Sequence, residues 1–165
     1  MKLFLDLDGV LADFDRGVIA LTGKHPREQT IREMWREVAR APDFFAALAF
    51  TRDGRRLWEF CRPLDPTILT GLPRGGWADP QKRRWVAEML GADVPVITCM
   101  SREKARHSAP GHVLVDDRET ARDPWEKAGG VFIHHRDAER TIDALRSLSV
   151  APEPERHENR RNRMV

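Results

Sequence analysis

Five short apolar segments, separated by longer amphipathic stretches, are the feature that most constrains the fold of this chain. They are Leu3–Leu7, Thr67–Thr70, Val94–Cys99, His112–Val115 and Gly130–His134. Their length and continuous apolar character predict strands that are buried on both faces, as in a parallel sheet. Because helical patterns alternate with them, we expect βαβ units and an α/β fold with helices covering both faces of the sheet.

The stretches between these segments carry apolar residues at helical spacing. Trp85, Val86, Met89 and Leu90 form one such stripe. The interval between the first two predicted strands is different, because it offers helical patterns and no convincing strand. We therefore predict a core at residues 1–14 and 66–149, with a small helical cap at residues 15–65 inserted after the first strand.

Composition limits the classes of function. The chain has 165 residues, of which 41% are hydrophobic and 33% charged, so a packed core is expected rather than global disorder. The net charge of +2 is too small to demand a nucleic-acid partner, although it suits the steering of anionic substrates. Residues 150–165 are rich in arginine and lack apolar periodicity, which predicts a flexible basic tail.

Cysteine spacing and hydropathy indicate the setting of the protein. Cys61 and Cys99 form no CxxC pair and no Cys/His pattern, so neither a disulfide framework nor a zinc site is expected. The first residues show no signal-peptide pattern. No apolar run approaches the ~20 residues that a membrane span needs. We therefore expect a soluble, cytoplasmic protein without a membrane partner.

Polar side chains follow four of the predicted strands at the point where each strand ends. They are Asp6 and Asp8 after the first strand, Thr70 and Gly71 after the second, Ser101 and Lys104 after the third, and Asp116 and Asp117 after the fourth. Each alone is typical of a turn, a helix cap or a solvated charge. Ligands of open α/β sheets bind at this edge, so the coincidence favours a site. Crowded carboxylates with oxygen ligands only favour bound Mg²⁺ over zinc.

The sequence around these residues resembles the motifs of the haloacid dehalogenase (HAD) superfamily in its phosphatase form. The segment 6–13, which reads Asp-Leu-Asp-Gly-Val-Leu-Ala-Asp, resembles the first motif, and Ile68–Gly71 resembles the second. Lys104 fits the third motif and Val113–Arg118 resembles the fourth. The resemblance implies a Rossmann-like core with a parallel sheet sandwiched by helices. The short cap and the wording of the first motif are similar to the 5'(3')-deoxyribonucleotidase group and its phage and bacterial relatives.

Carboxylate chemistry and the resemblance imply the same catalytic roles. Asp6 would attack phosphorus and form an aspartyl-phosphate. Asp8 would protonate the leaving alcohol and then activate the water that hydrolyses the intermediate. An aspartate at position 8 favours a phosphatase over a dehalogenase. Thr70, Gly71 and Lys104 would bind the phosphate oxygens.

The resemblance also implies a set of metal ligands. Mg²⁺ would be held by the Asp6 carboxylate, the main-chain carbonyl of Asp8 and one aspartate of the 116/117 pair. We expect Asp117 to be the direct ligand, with Asp116 orienting it or pairing with Lys104. The opposite assignment of the two aspartates stays open.

Aromatic residues of the predicted cap are candidates for substrate recognition. Phe44 and Phe45 are adjacent, so one of them would face the site and stack on a planar base. Trp35 and Trp58 are expected in a small apolar core between the cap helices. Arg74 would reach a phosphate or sugar, or remain a solvated loop charge.

The leading functional hypothesis is a Mg²⁺-dependent phosphomonoesterase, a 5'-(deoxy)nucleotidase that acts on nucleoside monophosphates. The alternative is a phosphatase that acts on nucleic-acid termini or on another small phosphomonoester, so a nucleic-acid partner is open but not favoured. A HAD-fold binding module without catalysis is disfavoured, because every expected catalytic residue type is present. The base, the sugar and the oligomeric state are not fixed by the sequence.

Overall fold

The computed structural model describes residues 1–150. The tail predicted over residues 150–165 lies outside the described residues, except for the backbone of residue 150. Within residues 1–150 the chain forms five strands and six α-helices. They are β1 (Lys2–Leu5), α1 (Phe14–Thr22), α2 (Ile31–Arg40), α3 (Gly54–Cys61), β2 (Thr67–Gly71), α4 (Ala78–Met89), β3 (Val96–Cys99), β4 (His112–Asp116), α5 (Arg122–Lys127), β5 (Val131–His134) and α6 (Ala138–Val150).

The strands form one parallel sheet in the order β3-β2-β1-β4-β5. Successive side chains of a strand point to opposite faces, so Leu3 and Leu5 pack into one apolar cluster and Phe4 into another. The Phe4 face is covered by α5 through Trp125, and the other face by α4 and α6 among other helices. The α/β fold with a parallel sheet between helices is therefore confirmed.

The ends of two strands differ from the prediction for identifiable reasons. The first strand was predicted to reach Leu7 but ends at Leu5, because the chain turns and the Leu7 carbonyl accepts bonds from the amides of Leu11 and Ala12, at 2.9 Å each. The third was predicted from Val94 but begins at Val96. Pro95 has no amide hydrogen to donate to the ladder, so the strand starts after it.

The chain between β1 and β2 forms three α-helices and no strand. Within this stretch, the residues just before α1 and those just before α3 are joined by backbone hydrogen bonds. They run from Asp13 N to Ala49 O (2.9 Å) and from Thr51 N to Leu11 O (2.8 Å). Helices α1 and α2 pack on each other beyond this junction, while α3 packs on α6 on the side of the sheet. The division at residues 15–65 stays a prediction. The contacts favour a narrower cap that consists of α1, α2 and the loop after α2.

None of the helices within residues 1–150 is both long and apolar enough to cross a membrane.

Candidate active site

Asp6 and Asp8 leave the carboxyl end of β1 on a sharp turn. Gly9 has a φ of +78°, a conformation that side chains with a Cβ rarely adopt. A Cβ at this position would also collide with the carboxylate of Asp117, which follows β4. Gly9 therefore lets the β1 loop and the β4 loop touch, and the predicted carboxylates from the two strands meet there.

Lys104 bridges the predicted nucleophile and the β4 loop. Its Nζ lies 2.8 Å from Asp6 Oδ1 and 2.7 Å from Asp116 Oδ2, and all three side chains are buried. Burial favours the neutral amine, but the two carboxylates outweigh it and raise the pKa of Lys104 above its ordinary value. The ammonium group stays charged and holds Asp6 in place beside the cavity.

Three carboxylates form a cluster that suits a cation. Single oxygen atoms of Asp6, Asp116 and Asp117 lie within 4.8 Å of one another. Burial, followed by the charges of Asp6 and Asp116, raises the pKa of Asp117 to about 7. Its Oδ1 is buried and has no hydrogen-bond partner among residues 1–150. A divalent cation would satisfy this oxygen and relieve the repulsion, so the donor set fits Mg²⁺.

The two aspartates after β4 have different surroundings. Asp116 Oδ2 accepts a hydrogen bond from Lys104 Nζ, and Asp116 Oδ1 accepts one from the backbone amide of Arg118 at 2.8 Å. Asp117 keeps its unpartnered oxygen. These contacts favour Asp117 as the direct metal ligand and Asp116 as the partner of Lys104, as predicted, although the assignment itself stays a prediction.

Lys82 is a candidate site residue that the sequence left open, because at the start of its helix it could point either to the cleft or to water. Its side chain is 1% exposed, and Nζ lies 2.5 Å from Asp8 Oδ2, 3.1 Å from Thr70 Oγ1 and 2.7 Å from the Gly71 carbonyl. These three acceptors use all three ammonium hydrogens. Lys82 thus ties the predicted acid/base residue to the predicted phosphate-binding loop after β2.

A signal for Lys82 was present in the sequence. Lys82 precedes Trp85 and Val86 by three and four positions, so it lies on the apolar face of α4. A lysine on such a face is buried only when carboxylates or carbonyls receive it.

Asp8 lies at the floor of the cavity, with 21% of its side chain exposed. Burial raises the pKa of Asp8, the Lys82 ammonium opposes this, and Asp6 adds to it, so the net shift is upward. Oδ2 receives Lys82, whereas Oδ1 has no hydrogen-bond partner among residues 1–150. Asp8 therefore has one oxygen held by Lys82 and one buried oxygen without a partner among these residues.

A cavity of about 720 Å³ opens above these residues. Its floor includes Asp6, Asp8, Lys82, Lys104 and Asp116. Its walls come from α2 and from the loops after β2, β3 and β4. They include Trp35, Ala39, Leu72, Pro73, Arg74, Trp77, Met100, Ser101, Arg102, Ala105, Arg118, Thr120, Ala121 and Pro124.

The structure does not bring Phe44 and Phe45 to this cavity. They are 6% and 1% exposed and pack edge to face on each other, while Phe44 packs edge to face on Phe14 and Phe45 stacks on Phe14. The insertion is small, so it needs both rings for its own apolar core. The aromatic surface of the cavity comes instead from Trp35 and Trp77. The base-stacking role predicted for the two phenylalanines is therefore reassigned to these tryptophans as a prediction.

The other predicted residues are accounted for as follows. Thr70 is fully buried next to Lys82, and Gly71 lines the cavity and leaves room for the Ser101 hydroxyl. Arg74 lines the cavity with an exposed side chain, and its carbonyl accepts a bond from Trp77 Nε1 at 3.2 Å. Trp35 and Trp58 were expected together between the cap helices, but Trp58 is buried on α3, which packs on α6, and Trp35 lines the cavity.

Comparisons with known proteins show the fold. No family model matches this chain, and no curated protein matches it either. Among solved structures, a hydrolase from Streptococcus pneumoniae TIGR4 is similar with a TM-score of 0.53 and 11% identity, covering 88% of this chain and 97% of that one. At this identity the likeness shows a shared fold and nothing about activity.

Two further structures overlap more loosely. A HAD family hydrolase from Deinococcus radiodurans R1 with bound phosphate and sodium has a TM-score of 0.49 and 15% identity, with 90% of this chain and 94% of that one covered. A HAD hydrolase of family IA, variant 3, from Entamoeba histolytica HM-1:IMSS has a TM-score of 0.44 and 10% identity, with 88% and 99% covered.

Proposed function

We propose that this chain is a Mg²⁺-dependent phosphomonoesterase of the HAD type, which works through an aspartyl-phosphate on Asp6 and acts on nucleoside monophosphates. One observation carries the proposal. Asp6, Asp8, Lys104 and Asp116 share the floor of one cavity, where Lys104 holds Asp6 in place, and an oxygen of Asp117 lies within 4.8 Å of oxygens of Asp6 and Asp116.

The metal would be held by the Asp6 carboxylate, the Asp8 main-chain carbonyl and Asp117. When bound, Mg²⁺ supplies positive charge that offsets the clustered carboxylates and the phosphate oxygens. The unpartnered, buried Oδ1 of Asp117 supports this assignment. Asp116 keeps Lys104 in place, and Lys104 keeps Asp6 in place.

The first chemical step forms a bond between an Asp6 carboxylate oxygen and phosphorus and breaks the bond from phosphorus to the leaving oxygen. Lys104 uses two of its hydrogens on Asp6 and Asp116, so the third can reach a phosphate oxygen. The Thr70 hydroxyl accepts from Lys82 and keeps its own hydrogen for another phosphate oxygen. These donors would stabilise the charge that develops in the transition state.

Asp8 would move the protons. Burial and the charge of Asp6 raise the pKa of Asp8 above its ordinary value, which favours the protonated form that can donate a proton to the leaving alcohol. In the second step the Asp8 carboxylate removes a proton from water, which attacks phosphorus, breaks the bond to Asp6 and releases inorganic phosphate. Lys82 donates to Oδ2 and so holds the Asp8 carboxyl in place during both steps.

The substrate class follows from the walls of the cavity. Trp35 and Trp77 offer flat apolar surfaces of the kind on which a nucleobase stacks. The volume of about 720 Å³ suits a small molecule that is larger than a bare phosphate ester. These features support a nucleotide as the substrate.

Phosphate release in the presence of Mg²⁺ tests the proposal, with 4-nitrophenyl phosphate and a set of nucleoside monophosphates as substrates. We expect Asp6→Asn to lower kcat by roughly 10³-fold or more and chelation to abolish turnover. Asp93→Asn is the matched control, because Asp93 is exposed and does not line the cavity. Full activity in Asp6→Asn, or activity that resists chelation, would refute the proposed mechanism.

A further inference from the structure

Three exposed arginines line the cavity, and we call the part of the cavity that they line its mouth. Arg74 follows β2, Arg102 follows β3 and Arg118 follows β4, so each comes from a different loop at the carboxyl edge of the sheet. All three side chains are exposed and line the cavity. None of them forms an ion pair with another residue in the range 1–150.

The charges of the floor and the mouth are organised differently. Each lysine of the floor is paired with a carboxylate, Lys82 with Asp8 and Lys104 with Asp6 and Asp116. The residues that line the cavity include no carboxylate other than these floor aspartates. The mouth is thus positively charged, and its arginines have no ion-pair partner among residues 1–150. A guanidinium group can bind a phosphate through two parallel hydrogen bonds.

The aromatic wall lies next to the first of these arginines. Trp77 Nε1 donates to the carbonyl of Arg74, which fixes the Arg74 backbone beside the indole ring. A base that stacks on Trp77 would place its sugar and any further phosphate near this loop. The volume of about 720 Å³ lies in the upper half of the range for small-molecule pockets, which is about 300–1,000 Å³, so there is room for a second anionic group.

We propose that the preferred substrate carries a second phosphate, bound by Arg74, Arg102 and Arg118 at the cavity mouth while the scissile phosphate occupies the floor. The inference rests on the proposed phosphomonoesterase function and narrows its substrate class. Two sources share this chemistry: a nucleoside bisphosphate, and the phosphorylated end of an oligonucleotide whose next phosphodiester reaches the arginines.

The test compares three substrates in Mg²⁺: deoxyadenosine 5'-monophosphate, deoxyadenosine 3',5'-bisphosphate and a 5'-phosphorylated dinucleotide. We expect at least one compound with a second phosphate to exceed the monophosphate in kcat/KM by about tenfold or more. Arg74→Gln, Arg102→Gln and Arg118→Gln should each move this ratio towards one. Arg56→Gln removes the same charge from an exposed site outside the cavity and should leave the ratio unchanged.

The outcomes differ in the ratio of kcat/KM for each compound with a second phosphate to kcat/KM for the monophosphate. Preference for the bisphosphate alone assigns a small molecule, and preference for the dinucleotide alone assigns a nucleic-acid end. Equal kcat/KM for all three substrates, or a ratio that the arginine variants leave unchanged, would overturn the inference while the phosphomonoesterase function stands. Calorimetry with Asp6→Asn protein reads binding in the absence of turnover, and equal affinity for monophosphate and bisphosphate there would also overturn it.

Discussion

Replacing Lys82 by methionine removes the one group that ties Asp8 to the phosphate-binding loop. Methionine keeps an unbranched chain, and its thioether can pack on Phe45, but it lacks the ammonium that lies 4.5 Å from the Phe45 ring centre. It removes three hydrogen bonds, to Asp8, Thr70 and the Gly71 carbonyl. The change therefore tests whether Lys82 positions the acid/base residue or only fills the core.

The magnitude follows from the bond to the carboxylate. A hydrogen bond to a charged group contributes about 1.5–3 kcal/mol, which corresponds to roughly 10- to 150-fold in rate if it is needed in the transition state. Lys82 lowers the pKa of Asp8, so its removal raises that pKa further. The protonated form of Asp8 is then favoured further, which preserves its role as an acid and impairs its role as the base that activates water.

The predicted consequence is a change in the slow step. With 4-nitrophenyl phosphate, the leaving group needs little acid assistance, so Lys82→Met should still form the aspartyl-phosphate and should hydrolyse it slowly. Stopped-flow absorbance should then show a burst of nitrophenol close to one per active site, followed by a steady rate roughly 10- to 150-fold below that of the wild type. Lys127→Met, on an exposed lysine of α5, is the control.

A double-mutant cycle decides whether Lys82 acts through Asp8. If it does, Lys82→Met combined with Asp8→Asn should lose no more activity than Asp8→Asn alone, because the two residues work as one unit. Losses that multiply would refute the positioning role. A wild-type rate in Lys82→Met would refute the reasoning from the contacts altogether.

Three further predictions concern the metal, the turn and the cavity wall. The pKa of Asp117 is raised from 3.8 to about 7, so its ionisation opposes folding, and the Tm of the metal-free protein should fall as the pH rises through that interval. Mg²⁺ should restore the Tm more strongly at pH 8 than at pH 5, and Asp117→Asn should weaken both effects in thermal melts, because Asp8 and Asp116 also have raised pKa values. Gly9 has a positive φ, and a Cβ there would collide with Asp117, so Gly9→Ala should lower the free energy of unfolding by more than about 1 kcal/mol in urea titrations. Trp35→Ala should raise KM for a nucleoside monophosphate about tenfold and leave that for 4-nitrophenyl phosphate within twofold, given a stacking energy of about 1–3 kcal/mol. An equal rise for both substrates would contradict the stacking role.

The sheet and the convergence of Asp6, Thr70, Lys104 and the Asp116-Asp117 pair followed from the sequence because two strong regularities apply. Parallel strands buried on both faces read as continuous apolar runs, and ligand-binding side chains lie where such strands end. The structure brings these side chains together, and their catalytic roles remain predictions that the experiments above test.

The features that the sequence did not predict depend on tertiary contacts. Lys82 lies on the apolar face of α4. Only the position of Asp8, whose Oδ2 lies 2.5 Å from the ammonium, explains why a lysine can be buried there. Phe44 and Phe45 are adjacent, and helical geometry suggests that only one is buried, yet the loop after α2 buries both. Asp53 accepts the amide of Ala138 at 2.6 Å and so caps α6, a link across 85 positions that no local pattern reveals.

The covalent intermediate on Asp6 is the most direct test of the account. Asp8→Asn protein, which lacks the base for the second step, is incubated with 4-nitrophenyl phosphate and Mg²⁺, denatured and examined by peptide mass spectrometry. We expect a phosphoryl group on the peptide that contains Asp6. The double variant Asp6→Asn/Asp8→Asn should carry no phosphoryl group on this peptide. A phosphoryl group on another residue, or turnover by the wild type with no phosphorylated peptide in Asp8→Asn, would contradict the account.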